Sequence, residues 1–171
     1  MGFDRIVGLD LSLTATGFYV FDEDRENGGL LDTGKLAGIE RVDSILEQVH
    51  NIADCPRGLV VIEDFSFASR GRAVFDIGGL GWLVRHQLWK AKIKFWLVAP
   101  TALKKFITGT GNAQKSLILK EVYKRYTKDF TDDNVADAYA LARIGRAIAG
   151  WDSGFTQFQE DVLNKLKGQF Q

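Results

Sequence analysis

The chain lacks the features that mark secreted, disulfide-bonded and membrane proteins. Cys55 is the single cysteine among 171 residues, which excludes intrachain disulfides and cysteine-based zinc sites and favours a reducing compartment. Asp4, Arg5 and Asp10 interrupt the N-terminal apolar stretch, so it does not resemble a signal peptide, and no run is long enough to span a bilayer. We therefore expect a cytoplasmic protein with no membrane partner.

Net charge is also lacking, with 22 Lys and Arg against 22 Asp and Glu, but the two signs are segregated along the chain. Residues 1–64 hold 5 basic and 13 acidic side chains, residues 65–128 hold 13 and 2, and residues 129–171 hold 4 and 7. Lysines on ordinary solvated helix faces have acids among them as i,i+4 partners. The acid-poor middle of the chain therefore favours a nucleic-acid or phosphate partner.

The order of apolar runs and turns predicts a three-layer α/β domain. With 46% hydrophobic residues the chain can bury one core. An antiparallel meander followed by alternating helices and strands predicts a mixed five-stranded sheet flanked by helices. The predicted strands are 6–9, 17–21, 29–36, 59–62 and 94–98, and the predicted helices are 42–52, 80–89, 114–126 and 134–149, with a short helix from Pro100. We assign residues 1–150 to this domain and 151–171 to a C-terminal helical tail.

Acidic side chains stand at three ends of the predicted elements. Asp10 follows the first strand, Glu63 follows the fourth, and Asp132, Asp133 and Asp137 open the last long helix. Parallel neighbouring strands place their carboxyl ends at one sheet edge, so Asp10 and Glu63 face one crevice if those strands are adjacent. Crowded carboxylates repel one another unless a divalent cation neutralises them, and hard oxygen ligands favour Mg²⁺ or Mn²⁺.

Each acid also has a structural explanation. Asp132 or Asp133 alone is more simply a helix N-cap, and Glu63 alone is as often structural as functional. Asp137 is harder to explain in this way because alanines flank it on a helix that we expect to be closely packed. The combination, rather than any single acid, indicates a metal site.

A glycine turn places Lys115 at the opening of a predicted helix. A nucleotide-binding Walker A loop has glycine directly before its lysine, and Gln114 occupies that position, so we expect no nucleotide cofactor. A lysine at a helix N-terminus still suits one backbone phosphate. Further basic residues extend this surface across a duplex: Lys104, Lys105, Lys120, Lys124 and Arg125.

Residues 65–72 follow the acid of the fourth strand directly. Their aromatic and small residues, with arginines, suit a loop that stacks on bases and contacts phosphates. The candidate contacts are Phe65, Phe67, Arg70 and Arg72. Alternatively, one of the two phenylalanines belongs to the core.

The predicted helix 80–89 begins among glycines that permit close helix approach. Its apolar residues surround it, so more than one face must be buried. Two explanations stay open, an interface with a second copy and a helix buried inside a monomer. The residues concerned are Gly78, Gly79, Gly81, Leu80, Trp82, Leu83 and Leu88.

Four motifs over roughly residues 5–149 resemble, in this order, those of the RuvC-type Holliday junction resolvases, most like those of phages. They are Val7-Gly8-Leu9-Asp10, Val60-Val61-Ile62-Glu63, Gly111-Asn112-Ala113-Gln114-Lys115-Ser116 and Asp137-Ala138-Tyr139-Ala140-Leu141-Ala142. The resemblance implies an RNase H-like fold, a homodimer, and an endonuclease that cleaves Holliday junctions and other branched DNA in recombination, repair or phage DNA processing. It places the protein in a bacterial or phage-infected cell.

The resemblance also implies roles for residues. Asp10, Glu63 and Asp137 match the family's metal-binding acids, which hold two Mg²⁺ or Mn²⁺ ions per active site. Lys115 matches a basic residue beside the scissile phosphate, and Lys104 matches a lysine that meets DNA. The family's wedge aromatic, which follows the second acid, corresponds to Phe65 or Phe67, and the offset register leaves both open.

One position departs from the family pattern, which has a further acid three residues before the last one. Here that position is Asn134, beside Asp133. Either Asn134 ligates metal through its carbonyl, or Asp133 substitutes, or the chain has lost activity and only binds branched DNA. Phosphotransferases of the actin-like ATPase superfamily also begin with a strand, an Asp and a turn, but they need a second domain and adenosine motifs that this chain lacks.

Overall fold

The strand Arg5–Asp10 (β1) lies at the centre of a mixed five-stranded sheet. The computed structural model describes residues 2–23, 25–65 and 72–168, without the side chains of residues 72 and 73. The other strands are β2 (Gly17–Asp22), β3 (Glu26–Leu30), β4 (Gly58–Glu63) and β5 (Lys94–Val98). Their order is β3-β2-β1-β4-β5, in which β1 is antiparallel to β2 and parallel to β4. The predicted mixed sheet and meander are therefore confirmed.

Helices cover both faces of this sheet. They are α1 (Gly38–Ala53), α2 (Arg72–Lys90), α3 (Pro100–Thr108), α4 (Lys115–Tyr126), α5 (Asp133–Ala149) and α6 (Gln157–Lys167). In the described part of the chain, no helix is both long and apolar enough to cross a membrane. The short helix predicted from Pro100 and the helical tail are both present, and α6 packs on α3 and α5.

Two predicted elements have wrong bounds. The third strand, expected over 29–36, is β3 and runs over Glu26–Leu30, because its pairing with β2 extends back to Glu26. The helix expected over 80–89 begins at Arg72. Glycine costs about 1 kcal/mol relative to alanine inside a helix, and tertiary context overrides that cost here. A Cβ at Gly78 or at Gly79 would meet nothing within 4 Å, so neither glycine is needed for close approach of another helix in the described structure.

Side chains on β4 alternate between two cores. Leu59 and Val61 pack in the core that contains α3 to α6, whereas Val60 and Ile62 pack in the core that contains α1 and α2. All four are at most 2% exposed, which explains why this strand is a continuous apolar run. Full burial of such a side chain contributes roughly 1.5–3 kcal/mol, so both cores hold β4, and the acid at its end, in a fixed position.

Candidate active site

Asp10 and Glu63 lie at neighbouring carboxyl ends of parallel strands. The register pairs Leu9 of β1 with Ile62 of β4, so each acid is the next residue on its strand. The adjacency expected from the sequence is confirmed. Asp137, on the second turn of α5, reaches the same place, since its charge raises the pKa of both strand-end acids.

The three carboxyl groups destabilise one another's ionised forms. Burial, followed by the charges of the neighbouring acids, raises the pKa of Asp10 to about 7 and that of Glu63 to about 8. Burial also raises the pKa of Asp137 to about 6. Asp10 and Glu63 lie within hydrogen-bonding reach of each other. Such a cluster holds protons at neutral pH unless a cation replaces them.

Glycines bring α5 against the sheet and thereby bring Asp137 to Asp10. A Cβ at Gly8 of β1 would overlap the carbonyl oxygen of Ala138, and a Cβ at Gly17 of β2 would overlap the carbonyl oxygen of Asn134. The alanines that flank Asp137 are at most 1% exposed, so the close packing predicted for this helix is confirmed. Small residues on both surfaces set the separation of the two acids.

The turn after Asp10 is closed by side chains. Thr16 is 2% exposed, and its hydroxyl donates to the Ser12 carbonyl while accepting from the Ser12 backbone N–H. The Ser12 hydroxyl accepts in turn from the Thr14 and Ala15 backbone N–H groups. These bonds fix the chain immediately beyond the strand-end carboxylate.

The two acids at the start of α5, Asp132 and Asp133, make different contacts. Asp132 is the N-cap, and its carboxylate accepts from the backbone N–H groups of Asn134 and Val135. Asp133 instead lies 3.2 Å from the Lys115 ammonium and raises the pKa of Asp137. The Asn134 backbone packs against Gly17. The capping role proposed for Asp132 is confirmed. The charges of both acids reach the cluster, that of Asp132 at Asp10 and that of Asp133 at Asp137.

Two of the predicted lysines face the acids. Lys115 is the first residue of α4 and lowers the pKa of Asp10 and Asp137. Lys104 of α3 lowers the pKa of Glu63 and Asp137. Both effects require the ammonium groups to lie near the carboxylates.

The other predicted lysines lie elsewhere. Lys105 ion-pairs with Asp161 of α6 at 3.1 Å. Lys120 is exposed on the following turn of α4.

Phe65 is docked on α2 rather than projecting into solvent. A Cβ at Gly81 would overlap the Phe65 ring, so this glycine does provide the close approach expected there, although to a loop and not to a helix. Arg85 lies over both the Phe65 ring and the Trp82 ring, at 5.7 and 4.1 Å from their centroids. Three predicted contacts, Phe67, Arg70 and the side chain of Arg72, lie outside the described residues.

The donor chemistry of this cluster fits a hard divalent cation. Carboxylate oxygens are the ligands that Mg²⁺ and Mn²⁺ prefer. Among the described residues, no three His, Cys, Asp or Glu side chains are arranged as a complete metal site. Asp10, Glu63 and Asp137 are the residues that would supply these oxygens to such a cation.

This geometry agrees with a family match along the chain. The family model described as crossover junction endodeoxyribonuclease RuvC matches residues 6–144. The chain belongs to the RuvC family. The RuvC crossover junction endodeoxyribonuclease of Prochlorococcus marinus strain MIT 9303 is 24% identical over 150 residues, which cover 82% of this chain and 97% of that protein.

Solved structures share the RuvC fold. Thermus thermophilus RuvC in complex with Holliday junction substrate is 21% identical, with a TM-score of 0.68 and coverage of 81% of this chain and 90% of that one. The yeast mitochondrial Holliday junction resolvase Ydc2 is 12% identical, with a TM-score of 0.57 and coverage of 98% and 85%. The predicted RNase H-like fold and the predicted class of enzyme, a crossover junction endodeoxyribonuclease, are confirmed. The narrower likeness to phage members stays a prediction.

Several positioning residues of this RuvC-family site are absent from the sequence prediction. Gly8 carries a usable signal, because a glycine inside an apolar strand indicates close backbone approach. The sequence signal for Thr16 and Gly17 is weaker, because a turn of small residues does not show which of its hydroxyl groups is buried. The contact of α6 with α3 has no signal in the motifs at all.

Proposed function

We propose that this RuvC-family chain resolves four-way DNA junctions by metal-dependent hydrolysis of a phosphodiester bond, with Asp10, Glu63 and Asp137 as the metal-binding acids. The observation that carries the proposal is the convergence of three carboxyl groups with raised pKa values, faced by Lys104 and Lys115. Perturbed groups of this kind concentrate at catalytic sites.

The acids serve to hold divalent cations beside the scissile phosphate. A bound Mg²⁺ or Mn²⁺ supplies Lewis acidity and neutralises charge on the phosphodiester, and a pair of ions does so for the attacking and leaving oxygens. The residues supply the oxygens and fix their positions through β1, β4 and α5. We assign the fourth oxygen ligand to Asp133 rather than Asn134, because Asp133 has a carboxylate and lies one helical turn before Asp137 on the same face of α5.

Lys104 and Lys115 orient the phosphate. Lys115 opens α4 without a side-chain cap from Gln114, so the helix N-terminus and the ammonium both favour an anion at that point. Its ion pair with Asp133 joins two exposed side chains, 62% and 43% exposed, and such pairs contribute little stability. A DNA phosphate can therefore take the place of Asp133 at low cost.

We further propose that the working unit is a homodimer formed through α2. Phe75, Trp82 and Trp89 recur every seven residues and are 81%, 68% and 70% exposed, which makes one apolar stripe along the helix. A twofold pair buries this stripe against itself and supplies two active sites for two symmetric nicks. Leu80 and Leu88, expected at this interface, are each 1% exposed and belong to the monomer core instead.

The proposed activity is tested with a labelled four-way junction and a matched duplex, each incubated with Mg²⁺, Mn²⁺ or EDTA. We expect symmetric nicks in the junction with either metal, none with EDTA and none in the duplex. Binding of the junction without cleavage under every condition would instead identify a branched-DNA-binding protein.

A further inference from the structure

The helix α6 lies beyond residues 6–144, which the RuvC family model matches. We infer that α6 is a brace that positions α3, and through α3 the Lys104 ammonium, over the acids. This inference rests on the role proposed above for Lys104. It assigns a function in the cleavage reaction to a segment that contains none of the site's own residues.

The apolar face of α6 is part of the core beside α3. Val162, Leu163 and Leu166 are 3–4% exposed and belong to the same cluster as Leu103 and Phe106 of α3. These side chains cannot leave the core without exposing their partners. The position of α3 relative to the sheet is therefore set partly by α6.

The Phe158 ring of α6 lies beside the C-terminal end of α3. Gly109 caps α3 in the left-handed region, at φ 84°, and the position of a Cβ there would be 3.5 Å from the Phe158 ring. The Arg125 guanidinium of α4 also lies over the Phe158 ring, 5.3 Å from the ring centroid. Phe158 thus lies at the C-terminal ends of the two helices that carry Lys104 and Lys115.

A polar contact links α6 to the Lys105 side of α3. Lys105 and Asp161 form an ion pair at 3.1 Å, and the Gln157 amide donates to the same carboxylate at 3.2 Å. Adjacent residues on a helix point about 100° apart. Holding Lys105 toward α6 therefore turns Lys104 away from α6. Since α3 begins two residues after Val98, which pairs with Glu63, Lys104 lies at the sheet edge that carries the acids.

The start of α6 is itself rigid. Thr156 and Gln159 form a reciprocal capping box, and Gln159 is 5% exposed. The Trp96 indole N–H of β5 donates to the Leu166 carbonyl near the other end of the helix, at 3.4 Å. The capping box makes the first turn of α6 rigid, and the Trp96 contact ties its last turn to the sheet, so α6 can transmit a fixed position to α3.

A double-mutant cycle separates positioning from mere stability. We would measure single-turnover cleavage of a four-way junction at saturating enzyme for Phe158→Ala and Asp161→Asn, each with Lys104 intact and with Lys104→Ala. Glu160→Gln is the matched control, because it removes the same charge from an exposed position on the same turn of α6. Asp161→Asn leaves the apolar contacts in place, so it keeps the test decisive if Phe158→Ala fails to fold.

If α6 acts as this brace, Phe158→Ala slows cleavage about tenfold and Asp161→Asn about threefold when Lys104 is present. In the Lys104→Ala background, each variant slows cleavage less than twofold. Glu160→Gln should cleave at the wild-type rate. Equal slowing in both backgrounds, or no slowing in either, would overturn the inference. Wild-type cleavage by Lys104→Ala alone would overturn the proposed role of Lys104 itself, which is a different result.

Discussion

Gly8 and Ala138 are in backbone contact: the carbonyl oxygen of Ala138 occupies the space that a side chain at residue 8 would need. The contact joins β1 to α5 two residues before Asp10 and one residue after Asp137. The distance between two acids that lie far apart in the sequence therefore depends on a position that carries no side chain.

Gly8→Ala should separate α5 from the sheet. Overpacking of a closed contact costs roughly 1–3 kcal/mol, occasionally more, and the displacement moves Asp137 as well. We expect a lower free energy of unfolding in urea together with a disproportionate loss of junction cleavage. Gly29→Ala is the control in the same sheet, because a Cβ there would lie 3.5 Å from the Phe18 ring, an ordinary contact. Equal stability of the two variants would contradict this account of the packing.

The acid cluster predicts an unusual dependence of stability on pH in EDTA. The pKa values of Asp10, Glu63 and Asp137 are about 7, 8 and 6 in the folded protein and near 4 in the unfolded chain. The folded state therefore binds more protons between these limits. The stabilisation from these groups is complete below about pH 4 and is lost as pH rises to about 8.

Asp137→Asn should consequently stabilise the metal-free protein at pH 8. One pKa unit corresponds to about 1.4 kcal/mol, so we expect a gain of about 1–3 kcal/mol in the free energy of unfolding, with little gain at pH 4. Mg²⁺ should raise the melting temperature of the wild type at pH 8 more than that of the variant. A variant less stable than the wild type at pH 8 in EDTA would show that the acids do not repel one another.

Lys115→Ala should slow cleavage by about 10²–10³-fold, as expected when a donor to developing charge is removed, and should weaken junction binding far less. The Lys115 charge reaches Asp10 and Asp137, so it acts where the reaction occurs. Lys124→Ala on the same helix is the control, since Lys124 pairs with Glu121 at 3.2 Å. Equal losses of binding and cleavage in Lys115→Ala would reduce its role to general attraction of DNA.

Asp133→Asn tests the choice of the fourth oxygen ligand. We expect it to raise the Mg²⁺ concentration required for half-maximal cleavage, because it removes a charge that acts on Asp137. Asn134→Ala, measured in the same titration, should leave that concentration unchanged. The opposite pattern would assign the ligand to the Asn134 carbonyl oxygen.

Trp82→Asp should convert the proposed dimer to a monomer. It places a charge in the middle of the stripe formed by Phe75, Trp82 and Trp89, and Trp82 is 68% exposed in the monomer, so folding should survive. Tyr123→Asp on α4 is the control, at a side chain that is 56% exposed on another surface. Sedimentation equilibrium, with and without junction DNA, measures the outcome. A monomeric wild type under both conditions would contradict the paired-nick arrangement.

The sequence predicts those parts of the site that depend on local pattern. Asp10 and Glu63 follow apolar strands, and the parallel pairing of those strands brings them together, as expected from the strand ends. The polar residues 22–28 predict a turn, with the third strand beginning at Gly29, whereas the hydrogen bonds to β2 run from Glu26 to Leu30. Tertiary pairing overrides propensity at that edge.

Contacts between distant segments could not be predicted in the same way. Lys104 and Lys105 are adjacent in the sequence, which does not show that their side chains point in different directions. That difference depends on Asp161, more than fifty residues later, which pairs with Lys105. Helical periodicity likewise does not distinguish the buried Leu80 from the exposed Trp82. Both distinctions depend on which neighbouring element covers each face.

The central claim is that Asp10, Glu63 and Asp137 hold the catalytic cations. The most direct test measures both cleavage and binding of one four-way junction in Mg²⁺ by the variants Asp10→Asn, Glu63→Gln and Asp137→Asn. Asp64→Asn is the matched control, because its carboxylate accepts from the adjacent Phe65 backbone N–H. The account predicts that each of the three variants binds the junction as the wild type does but cleaves it no faster than the wild type does in EDTA, while Asp64→Asn retains activity. Cleavage near the wild-type rate in any of the three would contradict it.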